Sequence, residues 1–215
     1  MLKPKVKMKN TNKDTSDFKP SRLEFLSDGI FAVAMTLLAV ELTVRVIPKL
    51  QAAEKVGGLL IEMWPRFLAF AISFIVLGIF WFSHYGIFRF INSSDSRFAW
   101  LNILFLMFIS LVPFSTALIG QYHVYSKVAT IFFGINAFLA MLMLNFIWLY
   151  AASNYRLISN QIEHRRIKRI RVNFIIICSV FLLAVLISLI NPIGGIVLYI
   201  VMALFGIILQ VIITR

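Results

Sequence analysis

Four side chains capable of polar chemistry stand inside apolar runs of this sequence, where such chemistry is costly. Asp28 lies about one turn inside the run Phe25–Val44. A carboxylate near the middle of a bilayer costs about 2.5–3.5 kcal/mol on insertion scales, and such groups face the bundle interior and have partners. Trp81 and His84 are three residues apart in a second run, and so share a helix face. Asn102 lies in a third. Two kinds of chemistry follow. In one, Asp28 makes an interhelical structural bond to Trp81, His84 or Asn102. In the other, Asp28 and His84 relay protons, as a proton-coupled transporter would require. The structural bond is the stronger expectation, because one acid and one histidine make a short relay. Glu24 and Glu41 sit near the ends of the first run and reach the interface by snorkelling.

Other catalytic arrangements are missing from the sequence. His84, His123 and His164 are its three histidines, and none belongs to a His-Glu-x-x-His pair. There is no glycine-rich phosphate loop and no serine-hydrolase elbow. The potassium-filter sequence Thr-Val-Gly-Tyr-Gly is also absent. The expectation is a protein that is not an enzyme and has no catalytic residue, metal site or cofactor. Cys178 is the single cysteine, so no intrachain disulfide is available. Gly57-Gly58 and Gly194-Gly195 read as turn or flexible positions.

The elements that must position these residues are long apolar runs. Of 215 residues, 60% are hydrophobic and 14% charged. Average globular domains are about half apolar and a quarter charged. A helix crosses the hydrocarbon in about 20 residues. Six runs approach that length: Phe25–Val44, Trp64–Phe90, Phe98–Ile119, Val128–Tyr150, Val172–Ile190 and Ile196–Ile213. The predicted connections are polar: Gln51–Gly58, a capping loop Asn92–Ser96, the basic segment Arg156–Arg171, and a turn at Asn191-Pro192. Gly58–Met63 can extend the second helix outward. Residues 1–20 read as a disordered basic tail and 21–215 as one six-helix membrane domain.

The net charge of +12 is a topology signal rather than a nucleic-acid footprint, because the cations flank apolar runs. With six spans, sixteen Lys and Arg fall on one side and five on the other. The positive-inside rule then puts both termini in the cytoplasm. Trp64, Tyr122, Tyr125, Trp148 and Tyr155 lie near predicted helix ends, where aromatic rings favour the interface. The basic segment Arg165–Arg171 can meet anionic lipid as well as orient the chain.

The segment Arg22-Leu-Glu-Phe-Leu-Ser27-Asp28 resembles the Arg-x-x-x-Phe-Ser-Asp signature of the transmembrane protein 175 family, non-canonical potassium channels of endosomes and lysosomes with prokaryotic relatives. Leu26 replaces the motif Phe, and Phe25 precedes it. Trp81-Phe-Ser-His84 resembles the second-helix Trp-x-x-His of the family. Trp100-Leu-Asn102 and Leu111-Val-Pro113-Phe114 resemble its third-helix pattern. The likeness covers about residues 20–120.

The resemblance implies a prokaryotic single-repeat member in a cell membrane, with four copies around a pore lined by the first helix. It also implies that Arg22, Ser27, Asp28, Trp81, His84 and Asn102 form a structural network. The family's narrowest apolar layers carry over to Val33, Leu37 and Val40, with Thr36 as a pore-adjacent hydroxyl. At about 100° per residue, Leu37 lies near 40° and Val40 near −20° from Val33, whereas Asp28 lies near −140°. The apolar stripe alone is ordinary packing, and the resemblance is what assigns it a role. The implied function is a potassium-permeable cation channel with a hydrophobic constriction. Val33 and Val40 are smaller than the Ile or Leu associated with these layers, so selectivity is expected to be weak, with sodium as a second permeant ion. Membrane lipid and monovalent cations are the expected partners.

Overall fold

A computed structural model describes residues 19–42, 52–122, 126–159 and 161–213. Residues 1–18 of the expected basic tail, Tyr125 and His123 lie outside the described residues, as does the connection 43–51. Within the described residues the chain is all-helical: α1 Pro20–Val40, α2 Ala52–Glu62, α3 Trp64–Phe88, α4 Ser96–Ser110, α5 Val112–Tyr122, α6 Lys127–Ala152, α7 His164–Ile190 and α8 Pro192–Ile213. Five stretches are long and apolar enough to cross a membrane: α1, α3, α4 with α5, α6 extended to Tyr155, and α7. α8 is a further apolar helix.

Local chemistry sets the boundaries, and several differ from the expected ones. α1 starts five residues before Phe25 because Pro20 occupies the first turn, where its missing N–H costs nothing. The segment 52–58, expected as a connection, belongs to α2. That helix stays separate from α3 because Pro65 has no N–H to continue the ladder, and α3 restarts at Trp64. The third span is broken at Leu111 between α4 and α5. Pro113 explains the break, since it cannot donate to the carbonyl of Ile109. Asp95 caps α4 by accepting from Phe98 N–H at 2.9 Å.

The second half of the basic segment is helix rather than loop. α7 begins at His164, so Arg165–Arg171 occupy its first two turns. Ile167 and Ile170 on these turns pack against the core and carry the helix past the apolar run. The α6–α7 connection turns on Asn154 and Tyr155, both with positive φ (51° and 55°). It is tied to the α3–α4 loop by Asn92 N–H donating to Leu157 C=O at 2.8 Å and by an antiparallel bridge between Ile91 and Ile158.

Gly194 and Gly195 lie inside α8 and not in a turn. The turn is made by Asn191, whose side-chain oxygen accepts from the N–H groups of Ile193 and Gly194 at 3.0 and 3.3 Å. A methyl group at Gly195 would collide with Ser188 of α7. Trp148, near the end of α6, is fully buried among the helices; its indole N–H donates to Ile167 C=O at 3.4 Å.

α1 packs on α3, α4 and α5. α6 packs on α4 and α7, and α8 joins α7 to α3. Aromatic rings fill the centre: Phe80 stacks on Phe181 of α7 at 6.0 Å, and Phe105 of α4 meets both Phe80 and Phe31. Small residues on α6, among them Gly134, Ala137 and Ala140, allow close helix approach.

Candidate pore helix and its anchoring network

α1 has two unlike sides. Leu23, Ser27, Phe31, Ala34 and Leu38 are buried against the bundle. Their spacing of three and four is one helix face. The opposite side is uncovered: Val33 is 55% exposed, Leu37 43% and Val40 63%. Gly29, Ala32 and Thr36 are exposed beside them. Thr36 donates its hydroxyl proton to the carbonyl of Val33 at 2.8 Å, within its own helix. Its oxygen keeps lone pairs for another donor.

The buried side is held by two separate polar contacts. In the first, the Trp81 indole N–H donates to the Asp28 carboxylate at 2.8 Å. This joins α1 to α3 at the edge of the buried face, and Asp28 remains exposed. In the second, Ser27 donates to Leu23 C=O at 2.8 Å, Asn102 donates to the Ser27 oxygen at 3.1 Å, and His84 meets the Asn102 carbonyl oxygen at 3.0 Å. The amide oxygen of Asn102 accepts only, so His84 Nε2 carries the proton. Ser27, His84 and Asn102 are all buried. The imidazole lies parallel to Phe105 at 5.5 Å and against Phe88 at 4.1 Å. Of the partners considered for Asp28, Trp81 bonds it, while His84 and Asn102 bond each other. Arg22 is exposed on the first turn of α1, outside these bonds.

A third tie was not anticipated from the sequence. Thr116 on α5 donates its one hydroxyl proton to Val112 C=O at 2.8 Å, and its oxygen meets the Ser73 hydroxyl on α3 at 2.7 Å. Both hydroxyls are buried. Two hydroxyl residues on successive apolar runs were the available signal. The Val112 carbonyl is one turn below Thr116, beside the break at Leu111, so the bond also closes the kinked segment.

These features define a polytopic helical membrane protein whose first span is anchored by polar bonds on one side and bare on the other. The family model described as endosomal/lysosomal potassium channel TMEM175 matches residues 22–113, which run from the third residue of α1 to the start of α5 and include both polar contacts. A Chamaesiphon minutus protein named a potassium channel is 34% identical over 176 residues, covering 79% of this chain and 84% of that one. A Streptomyces collinus protein named a potassium channel is 39% identical over 104 residues, which span 48% of its length. The crystal structure of a lysosomal potassium-selective channel TMEM175 homolog from Chamaesiphon minutus superposes with a TM-score of 0.79 at 27% identity, covering 89% of this chain and 97% of that chain. This chain belongs to the TMEM175 family.

Proposed function

We propose that this chain is the subunit of a potassium-permeable cation channel in a prokaryotic cell membrane. Four copies surround a pore lined by α1, with α8 as the sixth span, both termini cytoplasmic, and residues 21–215 as the channel domain. The observation that carries this reading is the bare face of α1. A pore-lining helix must leave one side uncovered by its own subunit and be held firmly from the other. Val33, Leu37 and Val40 on that uncovered side are the constriction. The potassium channel names of the two bacterial relatives support the permeant ion.

Apolar side chains offer a cation no ligand to replace its water, so a narrow ring of them closes by dewetting. Widening lets the ion pass partly hydrated. Potassium releases water more readily than sodium, which gives a preference without a carbonyl filter. The small side chains of Val33 and Val40 make that preference weak. The Thr36 oxygen, exposed between them, accepts from water beside the constriction. The alternative proton relay through Asp28 and His84 has less support. The His84 Nε2 proton goes to an amide oxygen, and three phenylalanine rings surround the imidazole.

Purified protein in planar bilayers, with asymmetric potassium and sodium, tests the reading through the reversal potential. A potential between the sodium and potassium equilibrium values, nearer potassium, is expected. A potential that follows only a pH gradient would sink the potassium reading and favour protons.

A further inference from the structure

We propose that the outer face of α7 holds an anionic phospholipid, its headgroup on Arg165, Lys168 and Arg169 and its acyl chain along the apolar stripe above them. The cations and the stripe lie on one side of a continuous helix. With Arg165 at zero and about 100° per residue, Arg169 falls near 40°, Lys168 near −60°, Val172 near −20°, Ile176 near 20°, Leu183 near 0° and Ile190 near −20°. All seven side chains are exposed. Ile167, Ile170 and Phe174 occupy the other side and pack inward.

Depth agrees with this assignment. Val172 to Ile190 spans about 27 Å at 1.5 Å per residue, close to the thickness of the hydrocarbon core. Arg165, Lys168 and Arg169 lie about 4–10 Å further along the axis, in the headgroup layer. Arginine suits a phosphate because its planar fork donates two hydrogen bonds at once. The flanking groups do not cancel the charge. Arg166 is turned toward the bundle, with its guanidinium 5.0 Å from the Phe90 ring centroid. Arg171, on the far edge, adds a cation. Tyr155 donates to or accepts from His164 at 2.8 Å. Glu163 precedes the helix and is the one acidic group on these turns.

The occupant is lipid rather than a second copy of the chain because of where α7 stands. It packs on α6 and α8, whereas α1 packs on α3, α4 and α5. If α1 lines the centre, α7 is on the outside of the ring; that clause alone rests on the channel reading.

Native mass spectrometry of the full-length protein, released from vesicles of equal phosphatidylglycerol and phosphatidylcholine, measures which lipid is retained. Wild type is expected to retain phosphatidylglycerol preferentially. The variant Arg165→Gln/Lys168→Gln/Arg169→Gln should lose that preference by roughly tenfold or more, given the attraction of each cation to an anionic surface. Arg165→Lys/Arg169→Lys keeps the charge and should retain most of it, which separates lost binding from misinsertion. Arg97→Gln, a cation removed elsewhere, should retain all of it. Equal retention by wild type and the triple variant would overturn the proposal, as would loss in Arg97→Gln. Because retention is read without current, a protein that holds phosphatidylglycerol but passes no potassium would sink the channel reading alone.

Discussion

Replacing Asn102 with leucine removes the amide that joins α4 to both Ser27 and His84. Asn102 is fully buried, and its side chain makes two bonds, at 3.1 Å to Ser27 and 3.0 Å to His84. Interhelical hydrogen bonds in membrane proteins contribute about 0.6 kcal/mol on average and about 1.7 at most. Leaving the His84 N–H buried without an acceptor adds about 1–3 kcal/mol. The Ser27 oxygen is less affected, because its hydroxyl still donates to Leu23. The single variant Asn102→Leu should therefore cost about 2–4 kcal/mol. His84→Phe also orphans a partner, the Asn102 oxygen, and should cost about 1–3 kcal/mol. In the double variant neither group is left unpaired, and a phenyl ring keeps the stacking on Phe105 and Phe88. Its cost should fall below the sum of the two singles by at least about 1 kcal/mol. Equilibrium unfolding of the purified protein in mixed micelles measures all three. Additive costs would refute the reasoning, since they would mean that His84 and Asn102 do not share a bond.

Asp28→Asn keeps an acceptor for the Trp81 indole, so it should be milder than Asp28→Ala by about 1 kcal/mol in the same unfolding assay. Flux that disappears in Asp28→Asn and depends on pH in wild type would instead favour the proton relay. Leu37→Asn places an amide on the bare face of α1 and should raise conductance while lowering potassium preference; wild-type currents from both Leu37→Asn and Val33→Ala would remove the constriction. Gly195→Ala forces a methyl group against Ser188 and the Ala184 carbonyl. It should destabilise the α7–α8 pair by about 1–3 kcal/mol, read as a lower melting temperature.

Five of the six expected spans were legible in the sequence because bilayer thickness dictates a run length that composition displays directly. Their ends were not. Hydropathy stops at the last apolar residue, whereas backbone hydrogen bonding continues through polar ones, as in α2 and the first two turns of α7. Arg165–Arg171 hid an inward Ile167 and Ile170, three apart, beneath the charge. The position of Trp148 near a span end did not reveal its full burial, which the indole N–H bond to Ile167 C=O allows. At the candidate site, residue type limited the partners of Asp28 to three side chains, but could not choose among them. Trp81 and His84 share a helix face, yet α1 crosses α3 so that the indole reaches Asp28 while the imidazole reaches Asn102. That choice depends on helix crossing, which one sequence does not display. The bare side of α1 depends in the same way on where α3, α4 and α5 pack.

The bonds that anchor α1 also impose an order on biosynthesis. Asp28 and its indole partner are 53 residues apart in the chain, and Ser27 and Asn102 are 75 apart. At about 5–20 residues per second, a ribosome takes roughly 3–11 s to supply Trp81 after Asp28, and roughly 4–15 s to supply Asn102 after Ser27. Throughout that interval the nascent first span carries a carboxylate whose indole partner has not been synthesised. It must wait beside the insertion machinery or in hydrated surroundings until α3 arrives. A chain stalled before Trp81 would hold a first span whose Asp28 carboxylate has no indole partner.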